Sequence, residues 1–420
     1  MLNKLFFFIA LAGAFWYKPT YRSLMPFFHD IPLIPEDSIL GIPAAFDADS
    51  RPFKVNLGVG TYKTAEGHSL VLNCVRKAES VLFHSHLNKD YSSIQGNPEF
   101  LKLVSRLLFG LEFSSLHSKE IWAAQTIGGT GALRIGAEFL SKFVSRTIFL
   151  SQPSWANHKP IFERAGLNVG SYPYFCAQTC LLDFSGMCLA IENMPPSSII
   201  LLHGCCHNPT GIEPTFDQWK ELSLRIKKKQ LIPFFDLAYQ GFGSELEEDA
   251  DPIRHFASEG HEMLVAYSFA KNLGLYGERI GSLLIFSPDQ DAISKIGSQI
   301  KSLIRTNYST PPINGARIVS TVLKTSDLYL EWKAELKNMR DRIEEMRHAL
   351  VASLRVNGIE RDLSFMTKQR GLFSFMGISA EQALDLRQKK GIYLPPSGRL
   401  NIAALTTENI EYVAKSLAGV

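Results

Sequence analysis

Five short apolar runs, separated by longer segments with helical periodicity, constrain the fold of this chain more than any other feature. The runs are RTIFLSQPS (146–154), SSIILLHG (197–204), LIPFFDLAY (231–239), MLVAYS (263–268) and IGSLLIFS (280–287). Strands that are buried on both faces of a sheet are continuously apolar, and intervening helices return the chain for parallel pairing. The central region is therefore predicted to be an α/β domain with a mostly parallel sheet covered by helices.

A long amphipathic helix is predicted to begin near residue 327. Apolar residues recur there at alternating spacings of four and three, at Trp332, Leu336, Met339, Ile343, Met346 and Leu350. This pattern places them on one side of a helix. We expect the helix to carry the chain from a large domain, residues 70–338, into a smaller domain made from residues 26–69 and 339–420. A chain of 420 residues is long enough for two domains.

Residues 1–25 form an apolar segment that does not follow this pattern. After Lys4, the stretch LFFFIALAGAFWY resembles a short secretory signal and is too short for an ordinary transmembrane helix. We favour a start of translation at Met25, because MPFFHDIPLIPEDSILG already has the Pro and Asp residues of a globular amino terminus. A targeting segment and a peripheral anchor are the two other interpretations.

The charge and the cysteines exclude several classes of protein. The formal net charge is +3 without a basic block, so the sequence shows no nucleic-acid footprint, and any anionic ligand needs a local site. The six cysteines form no CxxC pair and have no zinc-finger spacing. We therefore expect reduced thiols, a cytoplasmic location and no membrane partner.

Polar residues follow several predicted strands, and ligands of open α/β sheets bind at the carboxyl ends of strands. One candidate is the glycine turn QTIGGTGALRIGAEFL (125–140), which opens a helix whose amino terminus could bind phosphate. The dinucleotide fingerprint fails because Arg134 stands in place of its third glycine, and no GK[ST] sequence is present. Taken alone, a glycine-rich turn of this kind is more often just a tight connection.

The other strand ends also have two interpretations each. Trp155 and His158 in SQPSWANH could be core residues, and His203 and His207 in HGCCHNPTG lack an evident third metal ligand, so no metal is predicted. Asp236 follows an apolar run and needs a cationic partner if it is ionised, which a structural ion pair would also supply.

A single lysine, Lys271, ends another apolar run in VAYSFAKNLGLYGERIG (265–281). Together with the other motifs it closely resembles the class I aminotransferases of the aspartate and aromatic amino acid type, from about residue 26 to the end. The matching strings are GGTGALR, PSWANH, HGCCHNPTG, DLAYQGF, SFAKNLGLYGERIG, IRTNYSTPP and PSGRLN. These are pyridoxal-phosphate enzymes of fold type I, so the resemblance implies a seven-stranded-type sheet and a smaller α/β domain from both chain ends.

The resemblance implies the following roles around pyridoxal 5'-phosphate. Lys271 forms a Schiff base with the cofactor, because a partly desolvated lysine near cations is nucleophilic. Asp236 pairs with the pyridinium nitrogen and keeps the ring an electron acceptor. The remaining cofactor-binding residues are Asn208 and Tyr239 at the phenolic oxygen, Trp155 on the ring face, His158 behind Asp236, and Gly129, Thr130, Ser268, Arg279 and the second subunit's Tyr91 at the phosphate.

The resemblance also implies how substrates bind. Arg399 in PSGRLN grips the α-carboxylate through a two-pronged contact, and Gly60 in LGVGTY closes over the substrate beside Trp155 and Asn208. Arg305 in IRTNYS comes from the neighbouring subunit and binds the distal carboxylate of dicarboxylic substrates. A site shared in this way implies a symmetric homodimer.

Two features depart from the family pattern. Ala270 stands where the lysine motif usually has a second serine, so one hydroxyl near the cofactor is lost. Pro395 and Pro396 precede Ser397 where a non-proline residue is usual, and we expect them to stiffen the approach to Arg399. Neither change removes a group that the chemistry needs.

The predicted reaction is ping-pong transamination from L-aspartate, aromatic amino acids or both to 2-oxoglutarate. Lys271, Asp236 and Tyr239 are the predicted catalytic residues. The alternatives are another pyridoxal-phosphate reaction on this fold, a β-lyase or decarboxylase, and a non-catalytic cofactor-binding regulator. A regulator should carry a DNA-binding domain, and the sequence shows none.

Overall fold

The structure is a computed structural model that describes residues 28–34 and 36–420. Residues 38–420 belong to one unit, and the described residues before Ser38 belong to another, in which the Ile31 amide donates a hydrogen bond to the carbonyl of Phe28. The predictions for residues 1–25 lie outside the described residues.

The sheets are built from thirteen strands in the described part of the chain. In chain order they are β1 (Val55–Asn56), β2 (Ile121–Ile127), β3 (Thr147–Gln152), β4 (Asn168–Pro173), β5 (Phe175–Cys176), β6 (Leu181–Leu182), β7 (Ile199–His203), β8 (Ile232–Leu237), β9 (Met263–Ser268), β10 (Ile280–Phe286), β11 (Phe373–Phe375), β12 (Ile392–Tyr393) and β13 (Arg399–Asn401). All five predicted strands are present, as β3, β7, β8, β9 and β10.

The central sheet has seven strands in the order β2-β10-β9-β8-β7-β3-β4. Strands β4, β3, β7, β8 and β9 pair in parallel, whereas β10 is antiparallel to both β9 and β2. The mostly parallel sheet that the sequence predicts is therefore confirmed. The sequence interpretation did not identify the two edge strands, β2 and β4.

Fifteen α-helices lie around these strands in the described residues. They are α1 (Gly41–Asp47), α2 (Asn73–His84), α3 (Pro98–Phe109), α4 (Leu111–Leu116), α5 (Gly128–Phe143), α6 (His158–Arg164), α7 (Phe184–Asn193), α8 (Phe216–Lys228), α9 (Asp251–Ser258), α10 (Gln290–Asn307), α11 (Asn314–Lys324), α12 (Ser326–Val356), α13 (Ser364–Lys368), α14 (Ala380–Lys390) and α15 (Ile410–Ala418).

Both faces of the central sheet are covered. Consecutive side chains of a strand point to opposite faces, and Phe234 and Phe235 of β8 accordingly enter two different hydrophobic clusters. Phe234 packs in the cluster that contains Leu133 of α5, whereas Phe235 packs in the one that contains Phe100 of α3. This two-sided burial explains why the central strands read as continuous apolar runs.

Helix α12 is the long helix that the sequence predicts, and all six residues of the predicted apolar stripe are buried. The Trp332 indole Nε1 donates a hydrogen bond to the carbonyl of Asn272, 2.6 Å away. The helix therefore fixes the backbone of the residue that follows Lys271.

One small sheet joins the two ends of the chain, and another lies within the carboxyl-terminal part. Val55 of β1 pairs with Ile392 of β12 in parallel, and Phe375 of β11 pairs with Arg399 of β13 in antiparallel register. The pairing of β1 with β12 agrees with a smaller part made from both chain ends, which stays a prediction as a separate domain. The domain boundaries at residues 69–70 and 338–339 stay a prediction.

All six cysteines are unpaired. Among the residues described here, no helix is sufficiently long and apolar to cross a membrane.

Candidate active site

The site lies where the strands of the central sheet end. The parallel strands β3, β7, β8 and β9 all end at one edge, and each is followed there by polar side chains. Strand β3 leads to Ser154 and Trp155, β7 to Asn208, β8 to Tyr239 and β9 to Lys271. Separate segments of sequence therefore meet because of the sheet topology, with Asp236 inside β8.

Lys271 is half-buried, and its Nζ lies 5.2 Å from the centre of the Tyr239 ring. Burial lowers the pKa of the amine to about 8; the charge of Asp236 opposes this shift, while Arg279 and Arg399 add to it. A lysine with a lowered pKa has a larger neutral fraction near neutral pH, which makes it nucleophilic.

The reactivity of this amine should depend on pH in a predictable way. Only the neutral amine reacts, so competitive acetylation of cofactor-free protein with acetic anhydride should modify Lys271 with a midpoint near its pKa of about 8. Lys77 is the control, because its hydrogen bond to Glu331 raises the pKa of that amine. A Lys271 profile that coincides with the Lys77 profile in mass spectrometry would contradict the lowered pKa.

A chain of hydrogen bonds supports Asp236. The His158 Nε2–H donates to Asp236 Oδ2 over 2.9 Å, and His158 Nδ1 lies 2.9 Å from the Ser154 hydroxyl. Ser154 Oγ is in turn 3.3 Å from His203 Nε2, while the backbone N–H of Asn208 donates to His203 Nδ1. Because His203 Nδ1 accepts, its Nε2 carries the proton and donates to Ser154. The serine hydroxyl is then free to donate to His158 Nδ1.

The charges and hydrogen bonds around Asp236 favour its ionised form. Burial opposes ionisation, but the hydrogen bond from His158 and the nearby His158, His203 and Lys271 hold the pKa of Asp236 below its usual value. Burial, helped by His158, lowers the pKa of His203 to about 3, so this ring is neutral. The network thus carries a negative charge at Asp236 and a neutral donor at its far end.

The histidines of HGCCHNPTG are used in hydrogen bonds. His203 is engaged through both ring nitrogens, and His207 contacts the Ser151 hydroxyl through Nε2 and the Thr210 hydroxyl through Nδ1. No ring nitrogen of this pair remains for a metal. The two residues therefore serve to hold the loop that carries Asn208.

An anion-binding cradle is formed at the amino terminus of α5. The first N–H groups of a helix have no partner within it and attract anions, and α5 begins at Gly128 and contains Gly129 and Thr130. A Cβ added to Gly128 would lie 2.7 Å from Arg279 Nη2, and one on Gly129 would lie 3.2 Å from Ser268 Cβ. Four residues predicted to hold a phosphate, Gly129, Thr130, Ser268 and Arg279, therefore lie at this helix terminus.

Arg399 is buried, and its guanidinium is held by two acceptors. Nη1 donates to Asn208 Oδ1 over 3.1 Å, and Nη2 donates to the Gly58 carbonyl over 2.6 Å. The guanidinium lies 4.0 Å from the ring centre of Phe373, and a Cβ on Gly60 would lie 4.0 Å from Arg399 Nη2. Nε has no partner within the described residues. A buried guanidinium without a carboxylate partner fits a site for a substrate carboxylate.

Two predicted site residues are exposed and form no hydrogen bond with these groups within the described chain. Tyr91 is 92% exposed, and Arg305 lies on the exposed side of α10, where it contacts Ser309. The structure contains one subunit, so their predicted roles in a second subunit's site stay predictions.

Three supporting residues were not assigned roles from the sequence. Ser154 and His203 link the backbone of Asn208 to His158, and both lie inside motifs that the sequence analysis had matched. Phe373 packs against the guanidinium of Arg399 and against the ring of Tyr239. The serine and histidine could have been found as polar neighbours of Trp155 and Asn208. The sequence does not single out Phe373 as a site residue, because a phenylalanine in a short strand is typical of a hydrophobic core.

Comparison with known proteins gives a consistent result. Residues 52–417 match the family model described as aminotransferase class I and II. The chain is 44% identical to aspartate aminotransferase of Escherichia coli, over 94% of this chain and 100% of that protein.

Solved structures agree with these matches. An aromatic-amino-acid aminotransferase from Burkholderia pseudomallei, covalently bound to pyridoxal phosphate, is 43% identical with a TM-score of 0.90, over 94% of this chain and 99% of that one. The cytoplasmic aspartate aminotransferase of Saccharomyces cerevisiae is 38% identical with a TM-score of 0.91, over 94% and 98%.

Proposed function

Because this chain belongs to the aminotransferase class I and II family, we propose that it transfers amino groups from L-aspartate and aromatic amino acids to 2-oxoglutarate. It is a pyridoxal-phosphate-dependent aminotransferase. The observation that supports an amino-acid substrate is the buried Arg399, which faces no carboxylate of its own described chain and lies beside Asn208 and Gly60. The choice of aspartate and aromatic donors rests on the relatives.

The residues present fit the cofactor. Lys271 supplies a half-buried amine between the charges of Asp236 and Arg279, and the α5 terminus offers unpartnered N–H groups beside Ser268. In this proposal Lys271 attaches the cofactor. Gly129, Thr130, Ser268 and Arg279 hold its phosphate, Asp236 its ring nitrogen, and Trp155, Asn208 and Tyr239 its ring. When bound, pyridoxal phosphate accepts the negative charge that develops at the substrate Cα.

The chain's own groups then perform the remaining steps. Arg399 binds and orients the α-carboxylate, so that the Cα proton is presented to the freed Lys271 amine. Lys271 Nζ is the base that takes this proton, and its lowered pKa suits proton transfer near neutral pH. Asp236, kept ionised through His158, holds a proton on the ring nitrogen.

A panel of amino donors tests this function. Purified protein should convert aspartate to its oxo acid only when 2-oxoglutarate is present, with formation of glutamate. A β-lyase would instead release ammonia without any oxo acid acceptor, and a decarboxylase would release carbon dioxide. Either result would replace transamination as the function.

The cradle geometry predicts the effect of a single methyl group. Gly128 has a φ of +65° and would place a Cβ 2.7 Å from Arg279 Nη2, so Gly128→Ala should displace the guanidinium and weaken cofactor binding by about tenfold or more. Gly110→Ala is the control, because Gly110 has a φ of +83° but nothing within 4 Å. Equal cofactor dissociation constants for the two variants, measured by absorbance, would argue against the cradle.

The proposal includes a homodimer with shared active sites and a cytoplasmic location. The exposed side chains of Tyr91 and Arg305 support the homodimer, since both can reach a neighbouring subunit. Six unpaired thiols support the second.

Arg305 should determine the preference for dicarboxylic substrates. Arg305→Leu is expected to lower kcat/KM for aspartate by about two to three powers of ten, because a desolvated carboxylate loses its only distal cation. The half-reaction with phenylalanine alone should change little. Lys301→Leu, an exposed cation on the same helix, is the matched control. Equal losses for both donors would indicate that Arg305 maintains the fold or the dimer.

Mixed dimers test whether Arg305 acts from the second subunit. Lys271→Ala and Arg305→Leu chains are each expected to have less than about 1% of wild-type activity on aspartate. A mixed dimer, however, contains one site with an intact Lys271 and an Arg305 supplied by its partner. Random association should restore roughly a quarter of the wild-type sites. No recovery after refolding the two variants together would mean that Arg305 serves its own subunit.

A further inference from the structure

A cavity of about 620 Å³ lies away from the active site, between the loop at residues 243–248, helix α12 and the segment 367–370. Five of its lining side chains can be cationic: Arg340, Arg347, His348, Lys368 and Arg370. None of them forms a salt bridge with a carboxylate of the described chain, although two other lysines of α12, Lys333 and Lys337, do. Unpaired cations that converge on one cavity indicate an anionic ligand.

The less exposed part of the cavity is lined by two arginines, Arg347 and Arg340. Arg347 is only 2% exposed, and its guanidinium donates through Nε to Ser374 Oγ and through Nη2 to the carbonyls of Gly371 and Phe373. Its Nη1 makes no hydrogen bond within the described chain. Arg340 is half-buried and uses Nη1 on the Gly241 carbonyl. The Arg347 and Arg340 guanidinium groups thus keep N–H donors that the described chain does not use, and these donors can bind an acceptor from outside the chain.

The acidic residues of the cavity limit the size of the ligand. Glu245, Glu248 and Glu344 also line it, but all three are exposed and therefore lie at its mouth. They would repel a long polyanion such as nucleic acid, whereas a compact anion could pass to the cationic end. The volume is within the range of small-molecule sites.

We propose that this cavity binds a small phosphorylated molecule, with its phosphate group held by Arg347 and Arg340 at the buried end and by Lys368 and Arg370 nearer the mouth. A tetrahedral phosphate accepts hydrogen bonds from several directions, which suits guanidinium groups arriving from α12 and from the segment 367–370. The site is separate from the active site and does not depend on which substrates the enzyme uses.

Titration calorimetry of the cofactor-loaded protein with inorganic phosphate, at ionic strength balanced with sodium chloride, tests the proposal. Wild-type protein should show saturable binding of phosphate in the cavity. The bound cofactor already fills the α5 cradle, so the cradle does not contribute to the signal. The double variant Lys368→Gln/Arg370→Gln should weaken the dissociation constant at least about tenfold. Both side chains are exposed, so the variant should fold; circular dichroism and cofactor content verify this.

Two further variants test whether the charge at the cavity mouth affects phosphate binding and whether phosphate binds in this cavity. Glu344→Gln removes a carboxylate at the mouth and should tighten phosphate binding. Arg355→Gln changes an exposed arginine on the same helix but outside the cavity and should leave it unchanged. The proposal is overturned if wild-type protein shows no saturable binding, or if phosphate binds the double variant as tightly as wild type.

Discussion

Lys271→Ala is expected to lower kcat by at least about five powers of ten, because one amine both attaches the cofactor and moves the substrate proton. Purified wild-type protein should be yellow, and borohydride should trap a stable adduct on Lys271 that mass spectrometry can locate. The variant should lose that adduct together with turnover. It should keep its fold, since the Lys271 side chain makes no hydrogen bond with the described residues.

Lys337→Ala is a suitable control for this result. Lys337 is exposed on α12, where it pairs with Asp341, so its removal should leave both adduct and turnover intact. An adduct that maps to any lysine other than Lys271 would refute the assignment. Addition of ethylamine to Lys271→Ala should restore part of the proton transfer, which a purely structural role would not explain.

The strands that could be predicted from the sequence differ physically from those that could not. Strand β9 has six buried residues in succession, so MLVAYS reads clearly as a strand. The edge strand β4 contains Gly170, Ser171 and Pro173 and is exposed at several positions. Strand β2 is buried but contains two alanines and a glutamine. Low β-propensity and one-sided pairing weaken the local signal, and only tertiary contacts select these strands.

The residues of the active site also differ in how easily the sequence reveals them. Lys271 and Asp236 were found because a charged residue at the end of an apolar run is conspicuous. The link from Asn208 through His203 and Ser154 to His158 joins loops from two different strands. Such a connection depends on sheet order, which the sequence did not specify. The partner-dependent roles of Tyr91 and Arg305 rest on family resemblance alone, since a single chain contains no contact that reveals them.

Asp236→Ala is expected to lower kcat by about three powers of ten or more, which corresponds to roughly 4 kcal/mol of activation free energy. Without the carboxylate nothing holds a proton on the ring nitrogen, and the bound cofactor accepts charge from the substrate Cα poorly. Activity and the pH dependence of the cofactor absorbance, measured together, should both change. Asp236→Glu, which keeps the charge, is the control and should retain more activity than Asp236→Asn.

His158→Gln separates the charge of Asp236 from its support. The amide of this variant places an N–H donor near the position of His158 Nε2 and keeps a hydrogen bond to Asp236, but it has no acceptor at the Nδ1 position and so breaks the connection through Ser154 to His203. Because Asp236 would remain, we expect a loss of only about tenfold, with a higher pKa for the carboxyl as its stabilising partner is weakened. If His158→Gln were as damaging as Asp236→Ala, the histidine would be an essential proton carrier and not a support. If Asp236→Ala retained near-normal activity, the carboxylate would serve only the packing of β8 against its neighbours.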